Sequence, residues 1–366
     1  MNKVRLVFVV LILMFCFIQK ISSQANLGYA DSIRVIYNIP ELSYAVINAK
    51  QVFEMAAMGR HSFYLPDTAS LNDRFHIGSN TKAMTAFMIA KYVEKGKLQW
   101  STKFFDVFPE WKGESKLGYA NITLMQLLSH RAGIHTLQGE EDDPVLPTFQ
   151  GTSLEKRRQF GRYILQLDRL TLDSQQTFIY SNAGYTLATL MVEKITQKSW
   201  EQLMDEVFNK DLQLNIQYSW PENQRQKDTW GHLFENNQLN PVASDTDFHL
   251  DYTEPAGDLN IKLTDYIKFI QMNLEGLLGK NNYLSATTYA TLHKGLKEYA
   301  LGWYNVQENG VDYSSHSGTV GTYYTTVQID RTRGVAYIIF TNSFNDDTQK
   351  GTRALMRKLK DHHQKL

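Results

Sequence analysis

A serine and a lysine three residues apart, Ser79 and Lys82, stand immediately before a long apolar stretch. If Ser79 opens a helix, both side chains lie on one face and within reach of each other. A serine hydroxyl is a poor nucleophile until a base takes its proton, and a lysine is such a base only where its surroundings keep the amine neutral. Residues 83–90 are apolar almost throughout, which predicts a buried helix and a dry setting for the amine.

A second Ser-x-x-Lys pair, Ser153 and Lys156, tests how specific this spacing is. It lies in a charged run that continues through residues 157–159, and no apolar helix follows it. We therefore expect this second pair to be solvated surface. The assignment of Ser79 depends on the rest of the chain.

The segment Tyr180-Ser181-Asn182 follows an apolar approach and precedes a predicted helix. A tyrosine close to a lysine can share the role of base, because an ammonium group favours the phenolate. The amide of Asn182 can donate and accept hydrogen bonds to a substrate amide. The Tyr-x-Asn triplet also occurs at 119–121, so a buried tyrosine with a bonded hydroxyl remains the alternative.

The segment His316-Ser317-Gly318-Thr319 ends one predicted strand and turns towards the next. Its glycine allows a substrate to approach the backbone closely. The backbone N–H groups of Ser79 and Thr319 would then form an oxyanion hole. His-x-Gly also occurs at 76–78 and 293–295, so this triplet alone is a weak signal.

The N-terminal residues differ from the rest of a chain that is otherwise typical of soluble proteins. The chain has 366 residues, of which 43% are hydrophobic and 21% charged. Lys3 and Arg5 precede an apolar run over 6–18, too short for the roughly 20 residues that span a bilayer. Residues 1–24 are therefore predicted to be a secretory signal peptide, and the protein to be periplasmic or secreted. An uncleaved anchor is the alternative.

Cysteine content and charge exclude several functions. The only cysteine, Cys16, lies in the apolar run, so the mature chain has no disulfide, thiol nucleophile or thiolate metal site. Without Lys3, Arg5 and Lys20, 35 basic residues face 38 acidic ones, and this balance does not favour nucleic-acid binding. We predict no cofactor and no stable membrane span.

Two pairs of histidines lie close together in the sequence, but their surroundings do not indicate a metal site. The pairs at 130 and 135 and at 362 and 363 lack carboxylates at ligand spacing. We therefore expect no metal ion in this protein.

The order of predicted elements indicates an α/β (α+β) fold. Strands are predicted near both ends, and a mostly helical region with polar loops lies roughly at 98–254. This order indicates one antiparallel sheet built from both termini, flanked by helices, with an inserted helical region. The predicted elements are an N-terminal helix at 26–39, strands at 43–47, 52–56, 300–306, 311–316, 322–329 and 335–341, helices at 182–196, 199–208 and 263–278, and a last helix at 346–362.

Taken together, the order of these segments resembles the serine β-lactamase and penicillin-binding protein family, in its class C and D-alanyl-D-alanine carboxypeptidase-like branch. Ser-x-x-Lys is a signature of such enzymes. Residues 25–366 would form one catalytic domain with this β-lactamase/transpeptidase-like fold. The matching segments, in family order, are 74–82, 122–133, Tyr180 to Tyr185, Pro255-Ala256-Gly257, Leu301-Gly302-Trp303 and His316-Ser317-Gly318.

The resemblance implies an exported serine hydrolase that acts through an acyl-enzyme on Ser79. Lys82 and Tyr180 would be the general base and then the general acid. Asn182 would hold the substrate amide, and residues 316–319 would line the far wall of the site. The substrate would be an ester, a D-amino-acid peptide or a β-lactam. The alternatives are an esterase or D-amino-acid peptidase of the same family, or a penicillin-binding or sensor protein that does not hydrolyse its ligand.

Two positions depart from the family pattern. Asp258 follows Pro-Ala-Gly where another glycine is common, and His316 stands where class C enzymes usually carry lysine. Lysine offers a compact positive charge, whereas histidine is mostly neutral at pH 7. We therefore expect poor turnover of β-lactams and better activity on neutral esters or peptides.

Overall fold

The computed structural model describes residues 26–138, 143–172, 175–222, 228–244 and 250–363. The predicted signal peptide and Cys16 lie outside these residues. In the described part of the chain, no helix has the length and apolar character needed to cross a membrane.

Helices and strands follow one another along the chain in the predicted general order. The strands are β1 (Glu41–Asn48), β2 (Val52–Gly59), β3 (Arg74–His76), β4 (Gln217–Tyr218), β5 (Gly231–Glu235), β6 (Gln238–Val242), β7 (Leu259–Lys262), β8 (Glu298–Tyr299), β9 (Tyr304–Glu308), β10 (Val311–Thr319), β11 (Tyr324–Asp330) and β12 (Val335–Thr341). The helices are α1 (26–36), α2 (Thr81–Glu94), α3 (Phe104–Val107), α4 (Leu124–Leu128), α5 (Ser153–Ile164), α6 (Asn182–Thr196), α7 (Trp200–Met204), α8 (Glu254–Gly257), α9 (Leu263–Leu277), α10 (Ala286–Lys294) and α11 (Asp346–His363).

The main sheet joins strands from both ends of the chain, as predicted. Within the described residues it has seven antiparallel strands in the order β2-β1-β12-β11-β10-β9-β8. The first strand pairs with the last, with Ala45 opposite Ile338. The predicted α/β (α+β) fold with a sheet from both termini is confirmed.

Strand β12 is buried on both faces because helices cover each side of the sheet. On one face the ring of Tyr266 in α9 lies 5.4 Å from the ring of Phe340. On the other face Leu355 and Leu359 of α11 pack in the same apolar cluster as Tyr337. This burial explains why the strand is apolar from Val335 to Phe340 instead of alternating.

Helix α2 is the central helix of the core, as its composition predicts. Every residue from Thr81 to Tyr92 is buried, so the helix has no solvent face on which a polar stripe would be expected. The helix therefore holds Lys82, in its first turn, inside the protein.

Two features of the fold differ from the sequence prediction. The region predicted as helical contains the hairpin of β5 and β6. The strand predicted over 300–306 begins only at Tyr304. Gly302, with φ of 85°, passes so close to α2 that a Cβ there would lie 2.7 Å from the Cα of Ala83. The chain turns at this glycine instead of continuing a ladder.

The charged run after Ser153 contains one buried residue, although the Ser153–Lys156 pair itself lies at the surface as predicted. Arg157 of α5 is fully buried. Its guanidinium lies 2.7 Å from Glu193, 2.8 Å from Glu201 and 3.2 Å from Glu254. A buried guanidinium requires such partners, because desolvating an unpaired charge costs several kcal/mol. The side chain therefore ties α5 to α6, α7 and α8.

A small second sheet, with strands in the order β3-β7-β4, positions the segment before Ser79. The pairing places His76 opposite Asn260, so that the end of α8 lies beside the residues that lead into Ser79. This contact joins segments about 180 residues apart and is not visible in the sequence.

Candidate functional site

Ser79 lies in a single 3-10 turn, Gly78–Asn80, that leads directly into α2. The turn is tight, since Gly78 has φ of 49° and a Cβ there would lie 2.4 Å from the backbone nitrogen of Thr319. The Nζ atom of Lys82 lies 3.0 Å from Oγ of Ser79. The structure therefore brings the predicted nucleophile and its base into contact.

Lys82 has the surroundings that a lysine base requires. Among the described residues, Nζ contacts Oδ1 of Asn182 at 2.7 Å, the carbonyl oxygen of Ala256 at 2.8 Å, and Ser79. Burial lowers the pKa of Lys82 well below its ordinary value. A neutral amine has two N–H bonds and one lone pair. Because the amide and carbonyl oxygens can only accept, they take the two N–H bonds, and the lone pair faces the Ser79 hydroxyl.

Asn182 begins α6 and is oriented from its other end. Ser181 caps the helix, its hydroxyl accepting from the backbone N–H of Gly184. The Nδ2 group of Asn182 donates to the carbonyl of Leu137 at 2.7 Å, which fixes Oδ1 towards Lys82. Asn182 also lines the cavity that opens at Ser79.

Tyr180 contacts both members of the pair. Nζ of Lys82 lies 4.7 Å from the centre of its ring, and the side chain of Ser79 is close enough to its hydroxyl to affect the pKa of Tyr180. Burial raises the pKa of Tyr180 well above its ordinary value, although Ser79 lowers it in part. Tyr180 is therefore a phenol at neutral pH. This corrects the expectation that a lysine ammonium would favour its phenolate.

His316 is buried among aromatic rings and does not border the cavity described below. Its Nδ1–H donates to the carbonyl of Ser317 at 2.8 Å, and its Nε2 accepts from the hydroxyl of Tyr299 at 3.1 Å. Burial, with a smaller contribution from Lys82, lowers the pKa of His316 to about 3. The ring is therefore neutral at pH 7, and both of its nitrogens already have partners within the protein.

The rest of this strand is divided between two faces of the sheet. The side chain of Ser317 is exposed on the other face, where it donates to the hydroxyl of Thr326 at 2.9 Å. A Cβ on Gly318 would lie 2.5 Å from the backbone nitrogen of Ser79, so only glycine fits there. The backbone nitrogens of Ser79 and Thr319 therefore lie on two segments in close contact, as an oxyanion hole made of their N–H groups would require.

A cavity of about 680 Å³ opens at Ser79. Its described lining is mostly apolar and includes no acidic or basic side chain. The lining residues that matter for substrate are Asn182, Thr319, Trp220, Leu233, Leu250 and Phe344.

His76 and Asp258 form a supporting contact that sequence reasoning missed. Nδ1 of His76 accepts from the backbone N–H of Gly78 at 3.1 Å, and Nε2 lies 3.2 Å from Oδ1 of Asp258. The accepting Nδ1 leaves the proton on Nε2, which donates to the carboxylate. Asp258 therefore holds the His76 tautomer that supports the turn before Ser79. The only sign of this contact in the sequence was the position of Asp258, directly after Pro-Ala-Gly.

We expect Asp258→Asn to lower kcat about tenfold or more, because the amide can donate to Nε2, reverse the tautomer and displace the turn at Gly78. The measurement is kcat for an ester over pH 6 to 9, with circular dichroism as a check on folding. Asp211→Asn is the control, since that carboxylate pairs with Lys91 at 2.6 Å and not with His76. Equal kcat values in the two variants would refute a positioning role for Asp258.

The second Ser-x-x-Lys pair is not part of this site. Ser153 is exposed, and Nζ of Lys156 lies 2.8 Å from Oδ2 of Asp251. Neither residue borders the cavity at Ser79.

Comparison with known proteins places this geometry in a family. A family model described as beta-lactamase matches residues 29–360. Protein flp of Staphylococcus aureus is 23% identical over 331 residues, which cover 89% of this chain but 64% of that relative. The chain thus spans less than two thirds of the length of these curated relatives.

Two further comparisons give one similar sequence and one solved structure with a similar fold. Penicillin-binding protein 4 of Amycolatopsis lactamdurans is 23% identical over 330 residues, covering 85% of this chain and 83% of the relative. The structure of D-amino acid amidase from Ochrobactrum anthropi SV3 superposes with a TM-score of 0.73 at 17% identity, covering 93% of this chain and 99% of the amidase. Because the family model matches residues 29–360, most of the chain, the chain belongs to the β-lactamase family.

Proposed function

We propose that this protein hydrolyses neutral esters or amides with an apolar acyl group, through an acyl-enzyme on Ser79. The observation that carries the proposal is the environment of Lys82. Two oxygen acceptors take its N–H bonds, its lone pair faces Ser79, and Ser79 opens into an apolar cavity.

In the acylation step, Oγ of Ser79 attacks the carbonyl carbon and its proton moves to Nζ of Lys82. The carbonyl electron pair shifts onto oxygen, where the N–H groups of Ser79 and Thr319 stabilise the negative charge. Removing one such donor typically costs about 10²–10³-fold in kcat. Preorganised donors are effective here because the cavity is largely apolar.

The tetrahedral intermediate then collapses and its bond to the leaving group breaks. Tyr180 is a phenol beside Ser79, so it can give its proton to the leaving oxygen or nitrogen and regain one from the Lys82 ammonium. In deacylation, water attacks the acyl carbon with Lys82 as base, and Ser79 is released with its proton restored.

The cavity supports a neutral substrate over a carboxylate-bearing one. No described lining residue is a cation, and the neutral His316 is engaged by Tyr299 and Ser317. A substrate carboxylate would be desolvated there without a charged partner, which is costly. The amidase relative is named for a D-amino acid amide, and this name supports amides as one substrate group.

A carboxypeptidase-like or penicillin-binding activity is the second candidate, favoured by the likeness to penicillin-binding protein 4. A third is a protein that is acylated and never turned over. Export through the N-terminal residues remains a prediction from the sequence.

The substrate test compares kcat/KM for p-nitrophenyl butyrate and N-acetyl-D-phenylalanine amide with that for a D-Ala-D-Ala peptide and a chromogenic cephalosporin. We expect the neutral substrates to be preferred by at least about tenfold, since a charge-assisted hydrogen bond to the carboxylate is missing. Efficient turnover of the cephalosporin or the D-Ala-D-Ala peptide would favour the second candidate. Acylation without turnover on all four would favour the third.

The pH dependence of acylation tests the base. Lys82 acts only when neutral, so kcat/KM falls as pH drops through its pKa. Burial lowers that pKa well below the ordinary value of 10.5, and we therefore expect full activity well below pH 10. A profile that keeps rising up to pH 10.5 would show that Lys82 is not the buried base described above.

A further inference from the structure

Three buried side chains outside the proposed active site bring potential metal ligands together. One ligand atom from each of Glu41, His61 and Asp73 lies within 4.8 Å of the others. The three side chains belong to residues that are 0%, 6% and 4% exposed. They come from the start of β1, the segment after β2 and the residue before β3, so nothing in their spacing along the chain indicates a site.

His61 is oriented as a metal-binding histidine would be. Its Nε2 lies 3.0 Å from Oδ1 of Asp73, and its Nδ1 lies 2.5 Å from Oδ2 of Asp67. Each ring nitrogen therefore lies against a carboxylate oxygen. Two ligands of a tetrahedral zinc ion lie about 3.3 Å apart, given metal–ligand bonds of about 2.0–2.1 Å. A carboxylate at the other ring nitrogen is the usual outer partner of a metal-bound histidine.

Glu41 supplies an independent observation. Both of its carboxylate oxygens are buried and neither has a hydrogen-bond partner among the described residues. A buried carboxylate with no partner is costly. A cation between Glu41, His61 and Asp73 would remove that cost.

Asp73 is already fixed for this role by its second oxygen. Oδ2 accepts from the backbone N–H of Ser70, which leaves Oδ1 towards His61. Three carboxylates, those of Glu41, Asp67 and Asp73, therefore surround one imidazole.

We propose that Glu41, His61 and Asp73 bind a divalent transition-metal ion of the zinc class, with Asp67 holding the His61 ring. One imidazole with carboxylates suits zinc, whereas magnesium and calcium favour oxygen ligands alone. The ion would connect the main sheet to the segment that enters β3, six residues before Ser79. Its role is to stabilise this part of the fold, independent of the hydrolytic chemistry.

The test uses the full chain, freed of metal by chelator dialysis and titrated with ZnCl₂ by calorimetry, with CaCl₂ and MgCl₂ in parallel. We expect one equivalent of zinc to bind, to raise Tm, and to bind more tightly than calcium or magnesium. Glu41→Gln should lose this binding. His363→Gln is the matched control, because His363 forms a buried pair with Glu54 at 2.7 Å outside the proposed site. If His363→Gln lost zinc binding while Glu41→Gln kept it, the proposal would be overturned.

A second pair of measurements does not depend on the folding of Glu41→Gln. Asp67→Asn keeps all three ligands and should weaken zinc binding by about 10–100-fold. Cobalt added to the metal-free wild type should give visible d–d absorption that zinc displaces. Unchanged affinity in Asp67→Asn, or a wild type that binds no zinc and gives no cobalt spectrum, would overturn the proposal.

Discussion

Replacing Ser79 with alanine is expected to lower kcat for ester hydrolysis by about 10⁴-fold or more, because the variant has no group that can form the acyl-enzyme. The fold should be unaffected, since Ser79 is partly exposed at the cavity. The measurement is kcat for p-nitrophenyl butyrate in wild type and variant, with Tm as the check on folding. Ser153→Ala is the matched control and should keep wild-type kcat. Loss of activity in Ser153→Ala, or its retention in Ser79→Ala, would refute the assignment.

Lys82→Met is expected to lower kcat by about 10²–10⁴-fold, the usual contribution of a general base. Methionine has an unbranched apolar side chain that suits the buried position. The variant leaves Oδ1 of Asn182 and the carbonyl of Ala256 without their donor. Each unpaired oxygen costs about 1–3 kcal/mol of the free energy of unfolding, so Tm should fall as well.

The effect on kcat separates a base from a structural residue. The low-pH limb of the kcat/KM profile should change with Lys82→Met, which lost packing alone would not produce. Lys156→Met is the control, because that lysine pairs with Asp251 at the surface. Two results together would contradict the role of Lys82: a kcat for Lys82→Met within tenfold of wild type, and a low-pH limb of the kcat/KM profile at the same pH as in wild type.

The sheet was predictable because its signals are local. An unbroken apolar run marked the doubly covered strand β12, and two short β-rich segments around Asn48 marked the hairpin of β1 and β2. The capped helix α4 was predictable in the same way, since Thr123 and Gln126 form a capping box. The joining of both termini in one sheet followed from strands at each end of the chain.

Other features could not be predicted because they depend on contacts between distant segments. Arg157 looks like a surface residue until α6, α7 and α8 bring three carboxylates to it. Gly302 lies in a β-rich segment and breaks it only because α2 passes alongside. No local pattern contains either fact.

The proposed active site likewise has features that were predictable from the sequence and features that were not. The Ser79–Lys82 contact follows from helical spacing and was predictable. The carbonyl of Ala256 was not, because a backbone atom 174 positions away has no signature in the sequence. The orientation of His316 was also beyond the sequence, since it is set by Tyr299 across the sheet. Ser317 faces the opposite side of the sheet from its neighbours on β10 because successive side chains of a strand alternate.

The most direct test of the proposed mechanism is to observe the acyl-enzyme itself. The protein is mixed with p-nitrophenyl butyrate, quenched in acid within milliseconds to seconds, digested and examined by peptide mass spectrometry. We expect a butyryl adduct at Ser79 that forms and decays during turnover and is absent in Ser79→Ala. An adduct at another residue such as Ser153, or turnover of the ester with no adduct at any time, would contradict the mechanism.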